Sequence, residues 1–130
     1  MSFIPMNEDY DAVQENQPVP EGEYTLVIDN VKEKQDDAGN IKGLLVICQI
    51  VGADDAQNVM HNLSLPLDTD DETKRKNKLL FMKRLLTLFN IPFSGGIDLQ
   101  QFPGKQAKCF LTQEDYQGTI SNKIKLPPIK

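Results

Sequence analysis

Lys32 and Lys34 stand two residues apart, as do Lys123 and Lys125. The two-residue period of a strand puts each pair on one face. Lys42 lies across a turn from the first pair, and Lys108 shares parity with Phe110. Tyr116 stands beside a polar turn, and His61 and Asn62 fall in a third extended segment. Ammonium groups at such spacing suit the phosphates of a polyanion. Exposed rings suit stacking on bases, at about 1–3 kcal/mol per base whatever the base sequence.

Other chemistries find less support. His61 is the only histidine, and no nucleophile–base motif surrounds it. Cys48 and Cys109 each sit in an apolar run, far apart in sequence. Zinc takes four ligands in clustered pairs, so both are expected as buried, reduced thiols. Asp68, Asp70, Asp71 and Glu72 form an acidic run of the kind that can hold a metal. They also sit where a helix begins, and the helix dipole accounts for them there. Ser94-Gly95-Gly96 and Phe102-Pro103-Gly104 lack the Lys-Ser/Thr pair of a phosphate-cradling loop. Neither enzymatic activity, nor a metal, nor a cofactor is expected.

The elements that must carry the lysines and rings can be read from patterning. The chain has 130 residues with eight Gly and eight Pro, enough for one domain rich in turns. Residues 1–20 read as an irregular acidic arm ending in Gln17-Pro18-Val19-Pro20, and 21–130 as the folded domain. Strands are expected from Glu23 to about Lys34, from Ile41 to Val51, and from Asn58 to Leu65. Leu45 and Ile47 add apolar residues to the second face of the second strand, where a homodimer contact is one use for them. From Asp70 to Asn90 the period changes: Leu79, Met82, Leu86 and Phe89 recur at helical steps, with Thr69 or Asp70 as N-cap. Two last strands, Lys105–Gln113 and Tyr116–Leu126, are expected around a turn at Glu114-Asp115. Three strands, a helix and two strands is the chain order of the five-stranded Greek-key barrel called the oligonucleotide-binding (OB) fold, an all-β class with one helix between strands 3 and 4.

The formal net charge of −5 at first argues against a polyanion as partner. Its distribution weakens that objection. Residues 1–23 hold six acids and no Lys or Arg, which leaves 14 basic against 13 acidic residues in the rest. The densest basic stretch is on the helix, at Lys74, Arg75, Lys76, Lys78, Lys83 and Arg84. It reads as a solvated face or as an extension of a binding track. The acidic arm reads as a solubilising tail, as a cover for the basic groove, or as a dock for a partner enzyme. No apolar run approaches the roughly 20 residues that span a bilayer, and MSFIPMNEDYD has no leader-like pattern. The cytoplasm is the expected compartment, and no membrane contact is expected. Asn62-Leu63-Ser64 fits a glycosylation sequon, read as a chance match.

Four short segments carry a resemblance: Asp9-Tyr10-Asp11 in the arm, Pro20-Glu21-Gly22-Glu23-Tyr24 opening the first strand, Val59–Leu65 as the third, and Asn122-Lys123-Ile124-Lys125 near the end. In that order they resemble a family of small phage proteins, formerly of unknown function, encoded among replication and recombination genes and similar to single-stranded DNA-binding proteins. The resemblance covers about residues 7–126. It implies binding of single-stranded DNA with little sequence preference, as a monomer or homodimer, and handover to a phage recombinase, helicase or polymerase in the host cytoplasm. The chain departs from the family pattern at Met60 and Asn62, where an aromatic and a basic residue are common. Asp36 and Asp37 also make the first interstrand loop acidic. The alternative is a recombination accessory module of the same fold that contacts protein and not DNA.

Overall fold

β1 (Gly22–Gln35) is the spine of a five-stranded antiparallel sheet. In the computed structural model, which describes Phe3 and residues 16–53 and 55–128, the other elements are β2 (Ile41–Ile50), β3 (Val59–Ser64), α1 (Glu72–Leu88), β4 (Gln106–Tyr116) and β5 (Thr119–Lys125), with a 3-10 turn at Leu99–Gln101. Strand order is β3-β2-β1-β4-β5. The first residues of β1 pair with β4 and the rest with β2, so one long strand joins two hairpins. The hydrogen-bonded sheet is open, and its two edge strands, β3 and β5, lie against each other. Among the described residues, no helix is long and apolar enough to cross a membrane.

Side-chain alternation fixes which face is the core. Leu26 and Ile28 of β1, Leu44, Val46, Cys48 and Ile50 of β2, Val59 and Leu63 of β3, Cys109 and Leu111 of β4 and Ile124 of β5 are buried together. Met82, Leu85, Leu86 and Phe89 of α1, with Ile91 and Phe102, complete that core. Both cysteines are free and buried, and burial pushes the Cys109 thiol up to about 11. Burial and the neighbouring Cys109 raise Cys48 to about 12, so both stay protonated at neutral pH.

A bulge in β1 decides where two lysines point. Cys48 faces Ile28, but its neighbour Ile47 faces Asn30, which leaves Asp29 as an extra residue. Before the bulge the even residues face the core. After it the odd residues do, and Val31 packs on the core. Unbroken alternation would have turned Lys32 and Lys34 inward beneath Ile28; the bulge turns them out.

The helix differs from the sequence expectation in its first half. Asp71, not Thr69 or Asp70, is the N-cap, accepting the Lys74 N–H at 2.7 Å. Asp70 instead accepts the Leu67 N–H at 2.8 Å and pairs with Lys78 at 2.7 Å. Leu79, expected on the buried stripe, is 50% exposed, because only the second half of α1 meets the core. At the C-terminus Asn90 takes a left-handed φ of 57°. Its N–H donates to the Thr87 carbonyl at 3.2 Å and that of Ile91 to Leu86 at 2.8 Å, a Schellman closure.

The Asp70 carboxyl is held below its ordinary value, first by the Lys78 hydrogen bond and then by the Leu67 N–H. A depressed carboxyl stabilises the fold above the unfolded-state value of 3.8 and loses that contribution as pH falls through the folded-state value. Asp70→Asn should therefore melt below the parent at about pH 6, and the gap should close as pH drops well under 3.8 in a thermal melt series. A gap independent of pH would assign the loss to hydrogen bonding alone.

The last turn also moves. The chain reverses at Gln117-Gly118, both at positive φ (52° and 86°), and not at Glu114-Asp115. A two-residue turn of this hand matches the twist of the flanking strands. β4 therefore runs on to Tyr116, and residues 113–120 form an exposed hairpin end.

Residues 16–20 are tied across the seam between the sheet edges. The Gln17 N–H donates to the Asp55 carbonyl at 3.2 Å, and the Gln57 N–H to the Gln17 carbonyl at 2.8 Å. Buried Asn122 accepts the Val19 N–H at 2.8 Å and donates to the carbonyls of Val19 at 2.9 Å and Thr112 at 3.2 Å. Residues 1, 2 and 4–15 of the arm lie outside the described residues.

Candidate nucleic-acid interface

The β4–β5 hairpin offers one coherent surface. Phe110 pairs with Lys125, Thr112 with Lys123, and Tyr116 with Thr119. Cys109, Leu111, Asn122 and Ile124 take the buried face, so Phe110, Thr112, Tyr116, Lys123 and Lys125 share the outward one. Phe110 is 46% exposed, and the Lys125 ammonium sits 6.0 Å from its ring centroid. A cation at that distance is drawn to the face of the ring. Tyr116, 70% exposed, lies at the far end of the same face, about 20 Å away at ~3.3 Å per residue. Two rings thus bracket a strip carrying two lysines and the exposed Glu114. Lys108 extends the strip, with its ammonium 3.5 Å from the Glu23 carboxylate. Both are mostly exposed, and such an ion pair contributes little and exchanges readily for another anion.

A search of protein-family models and of curated proteins finds no match to this chain.

The second set of residues lies across the seam. Lys32 faces Leu45 and Lys34 faces Gly43, while Asn62 faces Leu45 from the other side. Gly43 puts no side chain between β1 and β3, and Lys34 reaches over β2 to donate to the Asn62 side-chain carbonyl. Leu45, nearly buried Ile47 and Met60 floor this surface. At the seam, Met60 of β3 and Ser121 and Lys123 of β5 line one shallow depression. The outward surface therefore runs from Lys32 and Lys34 over Asn62 to Lys123, Lys125 and Phe110.

Gly43 has a tight constraint of its own. A Cβ there would sit 2.6 Å from the Leu63 carbonyl oxygen. Backbone cannot yield as a flexible side chain can, so Gly43→Ala should destabilise the fold by about 1–3 kcal/mol in urea unfolding. An unchanged midpoint would show that β2 and β3 separate at no cost.

His61 and Lys42 stand apart from this surface. His61 shares the parity of Val59 and Leu63 and points towards the core side, half-buried. Burial first, and the nearby Lys123 second, hold its imidazole below the ordinary 6.5, so it is neutral at pH 7 and brings no charge to a phosphate. Lys42 is exposed at the start of β2 with the opposite parity to Gly43 and Leu45. Its carbonyl accepts the Leu65 N–H at 3.0 Å.

The basic helix is divided. Lys78 is committed to Asp70, and the Arg84 guanidinium stacks on Phe81 at 5.3 Å. Lys74, Arg75, Lys76 and Lys83 are exposed. Sequence reasoning missed Gly43 and Asn122. Asn122 had a readable signal, a polar residue sharing the core parity of Ile124; Gly43 had none.

Proposed function

We propose that this chain binds single-stranded DNA with little sequence preference, on the outward face of β4–β5 and across the seam to β3 and β1. The observation that carries the reading is Phe110: a half-exposed ring with Lys125 over its face and Lys108 and Lys123 on the same surface. Stacking on Phe110 and Tyr116 supplies base affinity without base selection. Lys32, Lys34, Lys108, Lys123 and Lys125 supply phosphate contacts with counterion release. The contact between β3 and β5, and the placing of α1 between β3 and β4, support an OB-type Greek-key barrel closed at that seam. The resemblance to the phage single-strand-binding-like family supports a role in phage replication or recombination. There the bound strand would be handed to a recombinase, helicase or polymerase in the host cytoplasm.

A second reading, a recombination accessory module that docks on protein, is favoured by the exposed Leu79 and Phe81 on α1. Fluorescence anisotropy of a labelled oligo-dT strand at two salt concentrations separates the two. Binding with a log–log salt slope of about −0.7 per engaged lysine supports the first. No binding at low salt removes it.

A further inference from the structure

No residue of α1 before Met82 is buried, and Leu79 is 50% and Phe81 49% exposed. Between α1 and the ends of β3 and β5 runs a groove of about 450 Å³, lined by Lys74, Lys78, Phe81, His61, Ile124 and Leu126. Its walls are mainly apolar, Lys74 is exposed beside it while Lys78 is paired with Asp70, and no acidic residue lines it among the described residues. A surface of that kind fits an acidic segment with apolar anchors.

Such a segment exists in the chain. Residues 4–15 combine Ile4, Met6, Tyr10 and Val13 with Glu8, Asp9, Asp11 and Glu15, and hold no Lys or Arg. Their anchor point is close to the groove. Gln17 is tied to Ala56 just ahead of β3, and the groove meets the same strand at His61–Ser64, about 20 Å further along. A stretch of this length extends up to ~40 Å. We propose that residues 4–15 dock in the α1–β3–β5 groove of their own chain, with apolar side chains against Phe81 and carboxylates beside Lys74. The proposal holds whether or not the chain binds DNA.

The protein has no tryptophan, so Tyr10→Trp in the full chain installs a single indole reporter. The expected result is a blue-shifted emission with weak acrylamide quenching, independent of protein concentration. Adding Phe81→Ala and Lys74→Glu together should move the emission to that of hydrated indole. Both sites are exposed, so the melting temperature should hold. Hydrated-indole emission before those substitutions, or a blue shift that survives them, overturns the proposal. A blue shift that grows with protein concentration overturns docking within one chain, because it reports the arm of a second copy.

Discussion

Phe110→Ala weakens the complex with oligo-dT by about 1–3 kcal/mol, roughly five- to 150-fold in Kd, if the ring is the stacking platform proposed for it. The ring is half exposed, so the substitution leaves no large cavity and the melting temperature should move little. Phe110→Trp should keep or raise the affinity, because a larger π-face serves the same purpose. Lys125→Gln should cost less and lower the magnitude of the salt slope by about 0.7, the signature of one phosphate contact. The pattern distinguishes ring from charge: the first variant changes affinity at every salt concentration, the second mostly at low salt. Equal affinity of Phe110→Ala and parent would remove the stacking role.

Insertion of one alanine after Asn30 should have the largest effect on the fold. Asp29 is already the extra residue in the β1 bulge, and a further residue beyond it shifts every later side chain of β1 by one pairing position. Lys32 and Lys34 would then turn inward, and Val31 would turn out. Burying even one unpaired ammonium costs several kcal/mol, against a total stability of about 5–15 kcal/mol for a domain of this kind. The insertion variant should be largely unfolded by circular dichroism at about 25 °C, whereas deletion of Asp29, which keeps Val31 opposite Val46 and Lys32 opposite Leu45, should fold. If the insertion variant melts like the parent, the register of β1 does not set the orientation of these lysines.

Much of the sheet was legible because its strands alternate. Ile41–Ile50 and Val59–Ser64 appear within a residue or so of their expected limits. The helix was legible from Met82, Leu86 and Phe89, but periodicity says nothing of how far a helix overruns the surface it packs on. Leu79 was therefore misassigned. The closing turn was misplaced because Glu114-Asp115 looks more turn-like than Gln117-Gly118, while the backbone needs Gly118 to hold positive φ.

For the interface, period two correctly paired Lys32 with Lys34 and Lys123 with Lys125. It could not say which face each pair takes, because a bulge is one residue of register and leaves little trace in composition. His61 and Asn62 are adjacent and so point to opposite faces. Only the sheet's register shows that the amide faces outward.

Amide chemical shifts followed during titration with oligo-dT report binding and location together. The proposed interface predicts shifts concentrated at Lys32, Lys34, Asn62, Lys108, Phe110, Thr112, Tyr116, Lys123 and Lys125, fading as salt is added. Shifts confined to the exposed half of α1, or none at all with the strand in excess, would contradict it.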